Sequence, residues 1–192
     1  MNVHGRRQRL IATAGVLALA LALNAACTNK KSTGTPPTAA PTSALPTPSV
    51  DPSVADADQQ ARAAYAGYIQ TWALASQAAD PDSPDLARYI ADPLLSLTRS
   101  NIRRIKEMGA MQVGAQKATV RSVQVELNAT PPTVTINSCL DYTDRKLVYK
   151  SNQSEVPNSG PKTPKVSAVS KVVRYASGQW LVNEVKQGSD PC

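Results

Sequence analysis

The stretch VQVELNATPPTVTINSCLDY, residues 123–142, decides the fold. Val123, Val125 and Leu127 alternate with Gln124 and Glu126, the period of two expected of a half-buried strand. Thr130-Pro131-Pro132 breaks the run as a turn. Beyond it Val134, Ile136, Leu140 and Tyr142 share one strand face, and Thr135, Asn137, Cys139 and Asp141 share the other. Downstream, residues 147–149 read as a short strand. Residues 151–164 are polar with three prolines and read as an exposed loop. Residues 165–175 and 179–186 read as two strands joined at Ser177-Gly178, a hairpin signal.

Upstream the period changes. Asp56 and Asp58 suit a helix N-terminus, and Ala61, Tyr65, Tyr68, Trp72 and Ala75 recur at helical spacing. Residues 56–79 are therefore expected to form one long amphipathic helix. Asp80-Pro81-Asp82-Ser83-Pro84 ends it, and a short helix is expected over 84–91. Asp92 reads as an N-cap with Pro93 in the first helical position, and Gly109 stops the next helix after Met108. Leu95, Ile102 and Ile105 face its inner side. Helices followed by a run of antiparallel strands give an α+β domain. There is no internal repeat.

The chain before this domain has a different character. Arg6, Arg7 and Arg9 precede residues 10–23, an apolar run broken only by Thr13, and Asn24-Ala25-Ala26-Cys27 follows. This is the charged, apolar, small-residue order of a secretory signal. At ~1.5 Å per residue the apolar run spans about 21 Å, short of the ~30 Å hydrocarbon core. Ala25, Ala26 and Cys27 resemble the lipobox of bacterial lipoproteins, with a departure at Asn24. The resemblance implies that residues 1–26 are a lipoprotein signal peptide. It further implies that Cys27 becomes the acylated first mature residue, carrying palmitate-type chains on the outer face of the cell membrane. An ordinary secreted protein cut near Ala25 or Ala26 is the alternative. Residues 27–54 then form a tether. Positions 28–54 hold 6 Pro, 6 Thr, 4 Ser and 3 Ala, a composition that cannot bury enough surface to offset its ordering entropy. Extended, they reach about 80 Å at ~3.1 Å per residue.

Three cysteines are an odd number for an exported chain. With Cys27 acylated, Cys139 and Cys192 remain. In an oxidising compartment they are expected to pair, with two free thiols as the alternative. Loss of Arg6, Arg7 and Arg9 with the signal leaves 18 basic against 14 acidic residues, a net charge of +4. That charge, with the basic cluster Arg99, Arg103, Arg104 and Lys106 on one expected helix, reads as a solvated face. No nucleic-acid partner is expected.

The order of elements over 55–192 resembles the NTF2-like fold, in which a curved antiparallel sheet wraps around a long first helix as a cone. Cys139-Leu140-Asp141 in a central strand, Gly178-Gln179-Trp180-Leu181-Val182 in the last hairpin and the terminal Cys192 are similar to exported actinobacterial NTF2-like lipoproteins. The resemblance implies a cone-shaped pocket between sheet and helices. Tyr65, Tyr68, Trp72, Tyr89, Asp141 and Trp180 are its candidate lining residues, although aromatics at this spacing also suit a plain core. Some NTF2-like proteins are isomerases, cyclases or dehydratases that use a pocket Asp as base with Tyr donors, and Asp141 is the candidate for that role.

The only histidine is His4, inside the signal, so the mature chain holds no His for a catalytic triad or metal site. Asp80, Asp82 and Asp85 lack the oxygen ligands and glycine of a calcium loop and read as helix-capping residues. Neither a metal nor a cofactor is expected. The expected function is non-catalytic: a membrane-anchored extracytoplasmic module that binds an envelope partner or a small apolar ligand. An acid/base pocket enzyme acting through Asp141 is the alternative.

Overall fold

The computed structural model describes residues 51–160 and 162–192. The signal segment 1–26, Cys27 and the tether up to residue 50 lie outside the described residues. Helix α1 (Pro52–Ala78) is followed by α2 (Leu86–Tyr89) and α3 (Leu94–Glu107). Strands β1 (Ala110–Val113), β2 (Lys117–Glu126), β3 (Thr133–Asp141), β4 (Lys146–Tyr149), β5 (Lys165–Arg174) and β6 (Trp180–Pro191) complete the order. The architecture is α+β. Strands β2-β3-β5-β6 form one open antiparallel sheet, and β1 and β4 pair as a separate two-stranded ribbon.

Helix α1 starts four residues before the expected 56. Asp51 accepts a hydrogen bond from the Ser53 amide at 2.8 Å, and Pro52 occupies the first turn, where its missing N–H costs nothing. Asp58 instead pairs with Arg62 at 2.9 Å, one turn further on. The helix ends at Ala79 in the left-handed region (φ 51°), and the Asp80 amide returns to the Ala75 carbonyl at 2.9 Å. Helix α3 begins at Leu94, not at Pro93. The Asp92 carboxylate accepts from the Ser96 amide at 3.1 Å.

In β2 the alternation survives a phase change. A bulge between Val120 and Ser122 lets Val120 and Val123 face the same side despite their odd spacing. Strand β6 continues well past the expected 186. Gly188, Asp190 and Pro191 are poor strand residues, but Pro191 pairs with Val166 and Cys192 is covalently joined to Cys139. Strand β1 carries too few residues for a periodicity signal. Pairing with β4, Gln112 opposite Leu147, creates it.

The main core forms where the small stripe Ala57, Ala61 and Ala64, with Tyr65 and Tyr68, lies on Val134, Ile136, Val172 and Val182. Each fully buried branched side chain of this kind contributes roughly 1.5–3 kcal/mol. Tyr89 packs on Gly67 of α1 so closely that no Cβ fits there. A second cluster holds Ala79, Ile105, Ala110, Leu147 and Val156. Val156 corrects the expectation of a wholly exposed 151–164 loop. Its amide donates to the Leu147 carbonyl at 2.9 Å, which folds the loop back onto β4.

Candidate functional site

Strand β3 ends at Asp141, whose carboxylate accepts from the Thr143 amide at 2.9 Å and the Thr143 hydroxyl at 2.6 Å. The Lys165 ammonium lies 3.1 Å from its other oxygen. The Thr143 bonds first, then Lys165, hold this carboxyl down at about 2. The Arg145 amide donates to the Tyr142 carbonyl at 3.0 Å, closing a turn into β4. Asp144, on the outside of that turn, pairs with Lys117 at 2.6 Å.

The turn sends Arg145 back towards α1. Its guanidinium carbon stands 4.6 Å from the Trp72 ring centroid and 5.4 Å from that of Tyr142. Cation–π contacts of this kind contribute about 0.5–2 kcal/mol each, more as water is excluded. Its Nε donates to Oε1 of Gln112 at 3.1 Å. Gln112 is fully buried, and its own amide nitrogen donates to the Gly114 carbonyl at 3.1 Å. Gln77 of α1 reaches the same carbonyl at 2.9 Å. Gly114 has φ 68°, and the Asp144 carbonyl sits against its α-carbon where a Cβ would stand. Helix, ribbon and turn are thus tied together around one guanidinium.

That guanidinium faces a cavity of about 560 Å³ between α1, α3 and the sheet, bordered at one end by residues 156–159. Its size is in the range of small-molecule sites, ~300–1,000 Å³. Ile69, Leu94, Ile102, Leu140 and Val185 supply apolar wall. Tyr68, Tyr142, Gln187 and Arg145 supply polar groups together with Thr98, Asn101, Gln116, Asn158 and Ser159, and Arg104 stands in the wall from α3. Among the described residues the lining includes no Asp or Glu. The Gln187 side-chain amide donates to the Tyr142 hydroxyl at 2.7 Å, which leaves the phenolic proton free for another acceptor. Burial pushes the Tyr68 and Tyr142 hydroxyls up and the Arg145 guanidinium down. Both phenols therefore remain donors at neutral pH.

The six candidate lining residues separate. Tyr68 and Trp72 line the cavity. Tyr65 is core, its hydroxyl bonded to Ser138 Oγ at 2.7 Å, and Trp180 is core as well. Tyr89 packs on the far side of α1 at Gly67. Asp141 lies on the opposite strand face from Leu140 and is absent from the cavity wall, because strand alternation turns it outward. A carboxylate held at about 2 has neither the place nor the basicity for proton abstraction in this cavity. Arg145, Gln112 and Gln187 escaped the sequence reading. Thr143-Asp144-Arg145-Lys146 reads as a solvated turn, and nothing in its pattern marks the third residue as inward.

Cys139 and Cys192 are joined by a disulfide with a Cα–Cα distance of 5.8 Å. Such a bond is compatible with an oxidising, extracytoplasmic compartment. No helix among the described residues is long and apolar enough to cross a membrane. A shallower groove of about 680 Å³ runs between α1 and β2, past the exposed Leu74.

No protein-family model matches the chain, and no curated protein does. Among solved structures the chain is similar to the intermembrane space region of the chloroplast protein ARC6. That likeness has a TM-score of 0.42 and 15% identity, and covers 74% of this chain and 100% of that one. It is also similar to a de novo designed β-sheet protein, with a TM-score of 0.28 and 17% identity over 73% of this chain and 91% of that one. At these scores neither likeness carries a conclusion about family or activity.

Proposed function

We propose that this protein is an exported lipoprotein with an NTF2-like domain, anchored at Cys27 to the outer face of the membrane, and that the domain is a non-catalytic receptor for a small ligand. The cavity carries the reading: a concave chamber of small-molecule size, walled by apolar side chains and by polar groups in similar measure, is a form that fixes and orients a small ligand. The order of basic, apolar and small residues before Cys27 supports export and acylation, and the Cys139–Cys192 bond suits that destination. The helices-then-strands order and the cavity between helix and sheet support the NTF2-like cone. The groove beside Leu74 favours a second role in holding an envelope protein.

The test is to purify the full chain from its native membrane, denature it and extract bound small molecules for mass spectrometry. A compound enriched over a control lipoprotein, and absent when Ile102→Trp fills the cavity, is the expected result. Equal extracts from both proteins would defeat the receptor reading and direct attention to the groove.

A further inference from the structure

Resting on the receptor reading, we propose that the cavity selects an amphipathic anion, a single carboxylate or phosphate head on an apolar body, with Arg145 as the head-binding group. The charge balance of the wall leads to this. Arg145 and Arg104 both line the cavity, and no described lining residue is acidic. The two lysines nearest the Asp141–Arg145 turn are paired, Lys117 with Asp144 and Lys165 with Asp141. Arg145 forms no ion pair with any described carboxylate. Its one side-chain hydrogen bond among the described residues uses Nε, towards Gln112.

A guanidinium presents five donors in a planar fork, and its two terminal nitrogens match the two oxygens of a carboxylate or phosphate. Binding Nε through a fully buried glutamine fixes the fork without neutralising it. The rings of Trp72 and Tyr142 fix its plane. A positive charge so placed, partly removed from water and lacking a counter-ion, is costly unless a ligand supplies one. Two neighbouring phenols point the same way. The Tyr142 hydroxyl accepts from Gln187 and has its own proton to give, and the Tyr68 hydroxyl has no partner among the described residues. Cation and phenolic donors converge, whereas a cationic or purely hydrocarbon ligand would leave them unsatisfied. The apolar wall from Ile69, Leu94, Ile102 and Leu140 then takes the body of the ligand.

The full chain is reconstituted in neutral-lipid nanodiscs and titrated calorimetrically with octanoate, octyl phosphate, octan-1-ol and octyltrimethylammonium, with empty nanodiscs subtracted. The expected result is at least tenfold tighter binding of one or both anions than of the alcohol, and no binding of the ammonium ion. Whether octanoate or octyl phosphate binds better distinguishes a free fatty acid from a phospholipid-type head. Arg145→Met is expected to bring the anion down to the affinity of the alcohol, which is itself unchanged. Equal binding of alcohol and anions by the native chain would overturn the anion proposal while leaving the receptor reading intact. Failure of all four to bind would defeat both. Should Arg145→Met not fold, Arg145→Gln replaces it: a folded glutamine variant is expected to lose the preference for anions over the alcohol, and retention of that preference would overturn the assignment of the head to Arg145.

Discussion

Replacing both Cys139 and Cys192 by serine should lower the melting temperature of the domain by about 14 °C under oxidising conditions. The bond spans 53 positions, so it closes a loop of roughly that length in the unfolded chain. The chain-entropy relation gives ~4 kcal/mol at 25 °C for such a loop. A folded unit of this size loses ~2.1 cal/mol/K per residue on unfolding, about 0.3 kcal/mol/K in all, and the ratio gives the shift. Little in the native state offsets the loss. Residues 187–192 are exposed, and the register shifts between the pairs Val166–Pro191 and Ala168–Gln187. Two hydrogen bonds remain on this segment: Gln187 donates to the Tyr142 hydroxyl at 2.7 Å, and Arg121 donates to the Cys192 carbonyl at 2.8 Å. The assay is thermal unfolding followed by circular dichroism on three samples: native, native with reductant, and the double variant. The last two should coincide. Hydrogen exchange should also show that amides 187–190 open before the rest of β6. A shift below about 3 °C in both perturbed samples would refute the reasoning, because it would mean that the cross-link does not restrict the unfolded ensemble.

Three further outcomes are expected. Gly114→Ala should destabilise the domain by about 2 kcal/mol or more in urea denaturation, because the new Cβ meets the Asp144 carbonyl at a positive φ. In acid, the Asp141 carboxyl at about 2 in the folded chain lies below its ordinary 3.8. Its stabilising contribution is therefore complete above about pH 4 and is lost as the pH falls towards 2. Asp141→Asn should flatten that part of the stability–pH curve measured by urea titration, and an unchanged slope would show that the Thr143 and Lys165 contacts do not persist in solution. Finally, Cys27→Ser should move the protein from the membrane pellet to the soluble fraction on ultracentrifugation. Retention in the pellet would point to the uncleaved apolar segment as the anchor.

Much of the fold was legible because its signals are local. The alternation in residues 123–142 and the helical spacing of Ala61, Tyr65, Tyr68 and Trp72 each report which side of an element meets the core, and those faces are the ones buried. Cysteine counting anticipated the Cys139–Cys192 bond. The misplacements come where pairing overrides propensity. Strand β1 exists through β4, the end of β6 is held by Val166 and the disulfide, and Val156 is drawn inward by Leu147.

The candidate site was hardly legible at all. Of the six side chains singled out, Tyr68 and Trp72 reach the cavity, both from α1, where helical spacing fixes direction. Tyr89 and Trp180 are spent on packing, Tyr65 packs in the core and borders the groove beside β2, and Asp141 builds a turn. The sequence by itself determined the longer elements and their faces and pointed to the covalent pairing, because each depends on neighbours along the chain or on a count of residue types. The tertiary structure alone decided the cavity and its charge. Arg145 lies in a run that any local rule reads as solvent-facing. It turns inward only because Gln112 from β1, Trp72 from α1 and the turn around Asp141 arrive together in space, a coincidence of distant segments that no local period encodes.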